Sequence, residues 1–193
     1  MSPSRIGLFG GTFDPVHAGH LRVAQAALEE ACLDRLFFIP AARSPFKVSE
    51  VPSAGRDRLR WIRLALAGRN ACEVDDSELR RGGVSYAVDT MRAYRKRYPE
   101  VSLLYLIGAD HIKTLPEWRD AIELARDVEF LAVPRPGESH VAFPEPFRGS
   151  YLSGLPCQVS SSIIRQRVRC GKSISGLVPA FVEEDIVNRN IYL

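Results

Sequence analysis

The chain has 193 residues, 46% of them hydrophobic and 25% charged, with a net charge of +3. That size suits one domain, 1–193, with residues 151–193 as a C-terminal subregion, and it is large enough to bury a core. The mild positive balance fits an anionic small ligand and gives no case for a nucleic-acid partner; no window of about 18 uninterrupted apolar residues suggests a membrane span, and the opening MSPSRIGLFGG has no secretory character. Cys32, Cys72, Cys157 and Cys170 form no CxxC pair, so they read as reduced, mostly structural thiols, with a cytoplasmic location as the expectation.

From the N-terminus onward, strands and helices alternate. Arg5–Phe9 is a short buried strand, and Leu21–Cys32 carries Leu21, Ala24, Leu28 and Ala31 at helical spacing. Leu36–Ile39 is a second strand, stopped by Pro40. Ala41–Gly55 is a Pro-, Ser- and Ala-rich loop, expected to fold over a ligand. Arg56–Leu66 is helical, Ala71–Val74 is a third strand, and Ser85–Tyr98 is a helix along Ala87, Met91, Tyr94 and Tyr98. Val101–Ile107 is the most apolar strand and leads into Gly108-Ala109-Asp110. Pro116–Ala125 reads as a helix and Val128–Val133 as a strand. A weak strand near Cys157–Val159 precedes helices at Ser161–Arg169 and Pro179–Asn190. The run Arg92–Arg97 reads as a solvated helix face. The alternation predicts an α/β fold, a doubly wound parallel sheet with helices on both faces and a small helical C-terminal segment. Ligands of such folds sit at the C-terminal ends of the strands.

The first strand ends in GGTFDPVHAGH, Gly10 to His20. Neither GxGxxG nor a Walker A pattern is present, so the common nucleotide fingerprints do not explain it. Its chemistry is still legible. Gly10 and Gly11 let backbone N–H groups approach phosphate oxygens. His17 and His20 lie about one turn apart at a helix start, where both rings can face one ligand and the helix terminus adds positive potential. Imidazole N–H groups there can stabilise oxygens that gain charge in a nucleotidyl transition state. A second constellation is VSSSIIRQR, Val159–Arg167. Ser160 is a natural N-cap, the neighbouring hydroxyls and free N–H groups form an anion cradle, and Arg165 can fork onto phosphate. No residues show metal-ligand spacing.

GGTFDPVHAGH resembles the (T/H)xGH signature of the nucleotidyltransferase superfamily, and VSSSIIR resembles its ISSTxIR signature. FIPAARSPFK, GGVSYAVDTM, LIGADHIKTLPEW, VPRPG and LVPAFVEEDIVNRNIYL are similar to segments of one family within it, the bacterial nicotinate-nucleotide adenylyltransferases. The resemblance implies a Rossmann-like fold and adenylyl transfer from ATP to nicotinate mononucleotide in NAD biosynthesis, with Mg²⁺ carried on the ATP phosphates. It also implies roles. His17, His20 and Arg165 would be catalytic. Gly10, Gly11, Thr12 and Phe13 would give backbone contacts to ATP, Ser160, Ser161, Ser162 and Arg165 would hold its outer phosphates, Gly108 and Asp110 would meet its sugar, and Arg135 would flank adenine. Lys47, Ser85, Tyr86 and Trp118 would bind the acceptor, with Trp118, in the first turn of its helix, against the pyridine ring. The chain departs from the pattern at Phe46, Ala87 and Ser162, where relatives carry His, Thr and Thr. His111 reads as a site neighbour and His140 as a solvated loop residue. An adenylyltransferase for another phosphate acceptor, nicotinamide mononucleotide or phosphopantetheine, a fragment of a class I aminoacyl-tRNA synthetase and a non-catalytic nucleotide sensor remain as alternatives, and homo-oligomerisation stays open.

Overall fold

The structure is a computed structural model that describes residues 4–46, 51–134, 137, 139–153 and 159–193. Six strands form one sheet: β1 (Arg5–Gly11), β2 (Arg35–Pro40), β3 (Cys72–Val74), β4 (Ser102–Gly108), β5 (Glu129–Val133) and β6 (Gly149–Tyr151). Their spatial order is β3-β2-β1-β4-β5-β6, and every neighbouring pair is parallel. The helices are α1 (Ala18–Glu30), α2 (Gly55–Ala65), α3 (Ser77–Arg81), α4 (Ala87–Arg97), α5 (Ala121–Asp127), α6 (Ser161–Arg169) and α7 (Ala180–Asn188), and a 3-10 stretch, Ala109–Glu117, links β4 to α5.

The sheet is apolar on both faces because successive strand residues point to opposite sides. Ile6, Leu8, Phe37, Ile39, Leu103, Tyr105 and Ile107 pack on one side against Val88, Met91 and Tyr94 of α4 and Leu124 of α5. Leu36, Phe38, Leu104, Leu106 and Leu131 pack on the other against Ala24, Ala27, Trp61, Ile62, Ile164, Val182 and Ile186. The doubly wound parallel sheet expected from the alternation is therefore present. Its strand order reverses between β1 and β4, and such a reversal opens a crevice at the strands' C-terminal ends.

Several local expectations need correction. α1 begins at Ala18 because His17, not an apolar residue, caps it. The five-residue α3 carries too little periodicity to be seen, and Pro116 lies inside the 3-10 stretch while α5 starts only at Ala121. Trp118 therefore ends that stretch and does not open a helix. The sixth strand is Gly149–Tyr151; Val159 lies outside any strand, and the rest of the expected Cys157–Val159 strand lies outside the described residues. Arg92, Lys96 and Arg97 are exposed as expected, but Arg95 is half-buried and its guanidinium donates to the carbonyls of Pro99, Val101 and Asp127. Cys32 and Cys170 are exposed free thiols and Cys72 is half-buried, so burial does not account for the first two, while Cys157 lies outside the described residues. Among the described residues no helix is long and apolar enough to cross a membrane.

Candidate functional site

A cleft of about 1680 Å³ opens where β1 and β4 part. Gly10, Gly11, Thr12, His17 and His20 line it from the β1 side, Gly108 and Asp110 from the end of β4, Ser85 and Tyr86 from the start of α4, Trp118 from the end of the 3-10 stretch, and Ser160 from the start of α6. Glycines near these strand ends leave room for neighbouring side chains to approach closely. A Cβ on Gly10 would stand 2.7 Å from the Tyr105 hydroxyl, and one on Gly108 would stand 2.4 Å from Oδ1 of Asp110.

The two histidines cap α1 reciprocally. The His20 N–H donates to Nδ1 of His17 at 3.3 Å, and the His17 N–H donates to Nδ1 of His20 at 3.2 Å. Each Nδ1 is thus an acceptor, which leaves the proton of each neutral ring on Nε2. The rings stack with centroids 3.7 Å apart. Burial lowers the His17 pKa to about 4; burial and then the neighbouring His17 push His20 well below the usual imidazole range. Two neutral rings therefore present fixed N–H donors.

The distant second motif reaches this turn. Ser160 caps α6 by accepting from the Ile163 N–H. The Ser161 hydroxyl donates to the Pro15 carbonyl at 2.9 Å, and Nη1 of Arg165 donates to the Asp14 carbonyl at 2.8 Å across 151 positions of sequence. Ser162 is exposed and in reach of Arg165. Ser161, Ser162 and Arg165 support the turn without lining the cleft, and Phe13 turns its ring into the core among Phe9, Phe38 and His20. Phe13 holds a positive φ of 51°, a left-handed conformation that reverses the chain between β1 and α1. Lys47 and Arg135 lie outside the described residues, as does part of the 41–55 loop.

The far end of the cleft is aromatic. Trp118 meets Tyr105, Phe130 and His111 edge-on, and Phe46 packs at 4.6 Å from His111 and 5.4 Å from Trp118. Trp118 Nε1 is buried and has no hydrogen-bond partner. Ser85 ties this end together: its hydroxyl oxygen accepts from the Ala42 N–H, and its own N–H donates to the Arg43 carbonyl. His111 lines the cleft as expected. His140 also lines it, and it is not merely solvated but stacked on Tyr151 at 3.9 Å.

Sequence reasoning missed the groups that hold the turn from beneath. Arg58, 2% exposed, donates to the carbonyls of Thr12, Ala41 and Ser53. The Asp14 carboxylate accepts from the Tyr192 hydroxyl at 2.7 Å and the Ser53 N–H at 3.1 Å. Buried Glu78, on the cleft wall, accepts from the Thr90 hydroxyl, and burial pushes its carboxyl up. None of these had a signal in spacing: Arg58 sits among Arg56, Arg60 and Arg63 with nothing to set it apart. An arginine in the same helical row as Trp61 and Ile62 was the one available hint.

Comparison with known proteins follows this geometry. Residues 8–167 match the cytidylyltransferase-like family model. A probable nicotinate-nucleotide adenylyltransferase of Shouchella clausii is 42% identical over 97% of this chain and 96% of its own length. One of Halalkalibacterium halodurans is 40% identical over 97% of this chain and 91% of its own. The solved Plasmodium falciparum nicotinic acid mononucleotide adenylyltransferase complexed with NaAD shares the fold, with a TM-score of 0.81 over 98% of this chain and 97% of that one at 15% identity. This chain, with its paired histidines at the sheet's point of reversal, therefore belongs to the nicotinate-nucleotide adenylyltransferases of the cytidylyltransferase-like family.

Proposed function

We propose that this protein transfers the adenylyl group of ATP to nicotinate mononucleotide, forming deamido-NAD and releasing pyrophosphate, as a cytoplasmic step of NAD biosynthesis. The observation that carries the reading is the meeting of two phosphate-binding motifs at one turn, through Arg165 on the Asp14 carbonyl and Ser161 on the Pro15 carbonyl. An oxygen of the mononucleotide phosphate attacks the α-phosphorus of ATP, and the bond from that phosphorus to the oxygen bridging to the β-phosphate breaks. The attacking oxygen is already anionic at neutral pH, so no general base is required, and positioning with charge stabilisation supplies the catalysis.

The residues divide the work. Nε2–H of His17 and His20 donates to phosphate oxygens, His20 to those of the α-phosphate as they gain charge. Backbone N–H groups of Gly10, Gly11, Thr12 and Phe13 add to this cradle. Ser160, Ser161, Ser162 and Arg165 hold the β- and γ-phosphates once the arginine turns its guanidinium to them. Gly108 and Asp110 receive the nucleotide sugar. Ser85, Tyr86 and Trp118 receive the acceptor, whose pyridine ring lies against the indole. The described residues contain no group of three or more His, Cys, Asp or Glu placed to hold a metal ion. Magnesium carried on the ATP phosphates would neutralise charge on the leaving pyrophosphate.

Incubation with ATP, Mg²⁺ and one acceptor at a time tests the reading. Pyrophosphate release with nicotinate mononucleotide is the expected result. Release only with phosphopantetheine, or tight ATP binding with no turnover, overturns it. His20→Ala lowers turnover about a hundredfold or more while the protein still melts cooperatively; unchanged turnover removes the role given to His20.

A further inference from the structure

We propose that Arg119 is the residue that selects an acceptor carrying a ring carboxylate over one carrying the corresponding amide. This rests on the adenylyl-transfer reading and assigns its acceptor specificity to one side chain. The Arg119 guanidinium lies 4.7 Å over the centre of the Tyr86 ring, and both residues line the cleft. Tyr86 is the residue before α4, and no side chain caps that terminus. Stacking on a ring uses the face of a guanidinium and leaves its edge N–H donors free to fork onto a carboxylate.

Among the described residues no carboxylate is paired with this charge. Asp120, next in sequence, and Glu123 are both engaged by Arg92. Among the described residues that line the cleft, Glu78 is bonded to Thr90, and Asp110 and exposed Glu117 are the other acidic groups. Trp118 precedes Arg119 directly and is held edge-on by Tyr105 and Phe130. Trp118 and Arg119 line the same cleft, so a heteroaromatic ring laid on that indole would have its substituent within reach of the guanidinium. A carboxylate there accepts two charge-assisted hydrogen bonds, whereas an amide offers one oxygen and turns an NH₂ group toward other donors.

The experiment compares kcat/KM for nicotinate mononucleotide and nicotinamide mononucleotide, with ATP and Mg²⁺, in the wild-type protein, Arg119→Gln and Arg119→Lys. Arg119→Gln is expected to lower kcat/KM for the nicotinate compound about tenfold or more, chiefly through KM, and to change that for the nicotinamide compound less than about twofold. Arg119→Lys keeps part of the discrimination because it keeps the charge without the fork. A ratio between the two acceptors unchanged in Arg119→Gln overturns the proposal, whether both values hold or both fall together. Absence of wild-type turnover with either acceptor overturns the adenylyl-transfer reading itself, and is seen before any variant is made.

Discussion

His17 performs two tasks with one ring. Nδ1 caps α1 while the residue lines the cleft, so protonation of Nδ1 both breaks the cap and adds a buried charge. Burial lowers the His17 pKa to about 4, whereas an unfolded chain takes the same proton near 6.5. The unfolded state therefore binds the proton first as pH falls, and the stability contributed by the neutral ring is present above about pH 6.5 and lost toward about pH 4. The His17 share of the loss across that window is about 3 kcal/mol in urea unfolding at a series of pH values, and His17→Asn, which caps without titrating, should remove that share and leave the contribution of the buried His20 ring. The histidines were legible as site residues because two in an HxxH spacing beside two glycines is rare in a chain with four histidines. Their capping was not, since Ser, Thr, Asp and Asn are the usual N-caps. The anchoring roles of Arg58 and Asp14 were illegible for a different reason: their partners are backbone carbonyls and a tyrosine far along the chain, and spacing carries no trace of either.

The turn between β1 and α1 is held by elements on three sides. α6 gives it Ser161 and Arg165, α2 gives it Arg58, and the segment after α7 gives it Tyr192. That last segment is itself pinned, because Trp61 of α2 donates to buried Asp185 of α7 and Arg189 bridges Asp185 and Asp57. Tyr192→Phe deletes one hydroxyl and leaves the buried Asp14 carboxylate a donor short. It should cost about 1–3 kcal/mol in urea unfolding and lower adenylyl transfer, whereas Phe181→Ser, on an exposed site of α7, should do neither. The long elements were readable from their own pattern: α2 repeats its buried face at helical spacing, and β4 is a continuous apolar run buried on both faces. The short ones, α3, the 3-10 stretch and β6, were not, because they take their place from the sheet and the cleft and not from their own pattern.

Across the molecule, the parallel order β3-β2-β1-β4-β5-β6 brings two motifs from opposite ends of the sequence to one crevice. The α/β class and the crevice followed from alternation; the pairing of β6 with β5 did not, since Gly149–Tyr151 has only three residues and is mostly exposed. A ligand that engages both motifs couples the start of the sheet to α6, so ATP with Mg²⁺ should stabilise the whole fold. At a free concentration one hundredfold above its Kd the gain is about 2.7 kcal/mol. Calorimetry should show the melting temperature rising with ATP in the wild-type protein, and Arg165→Ala should lose most of that rise.

The hydrogen bond from Tyr192 to Asp14 spans 178 positions of sequence. A ribosome delivers the Asp14 turn early and Tyr192 only after all the intervening strands and helices have emerged. A nascent chain thus carries the Asp14 turn with one clasp still open, and that clasp closes only when the segment around residue 192 has emerged.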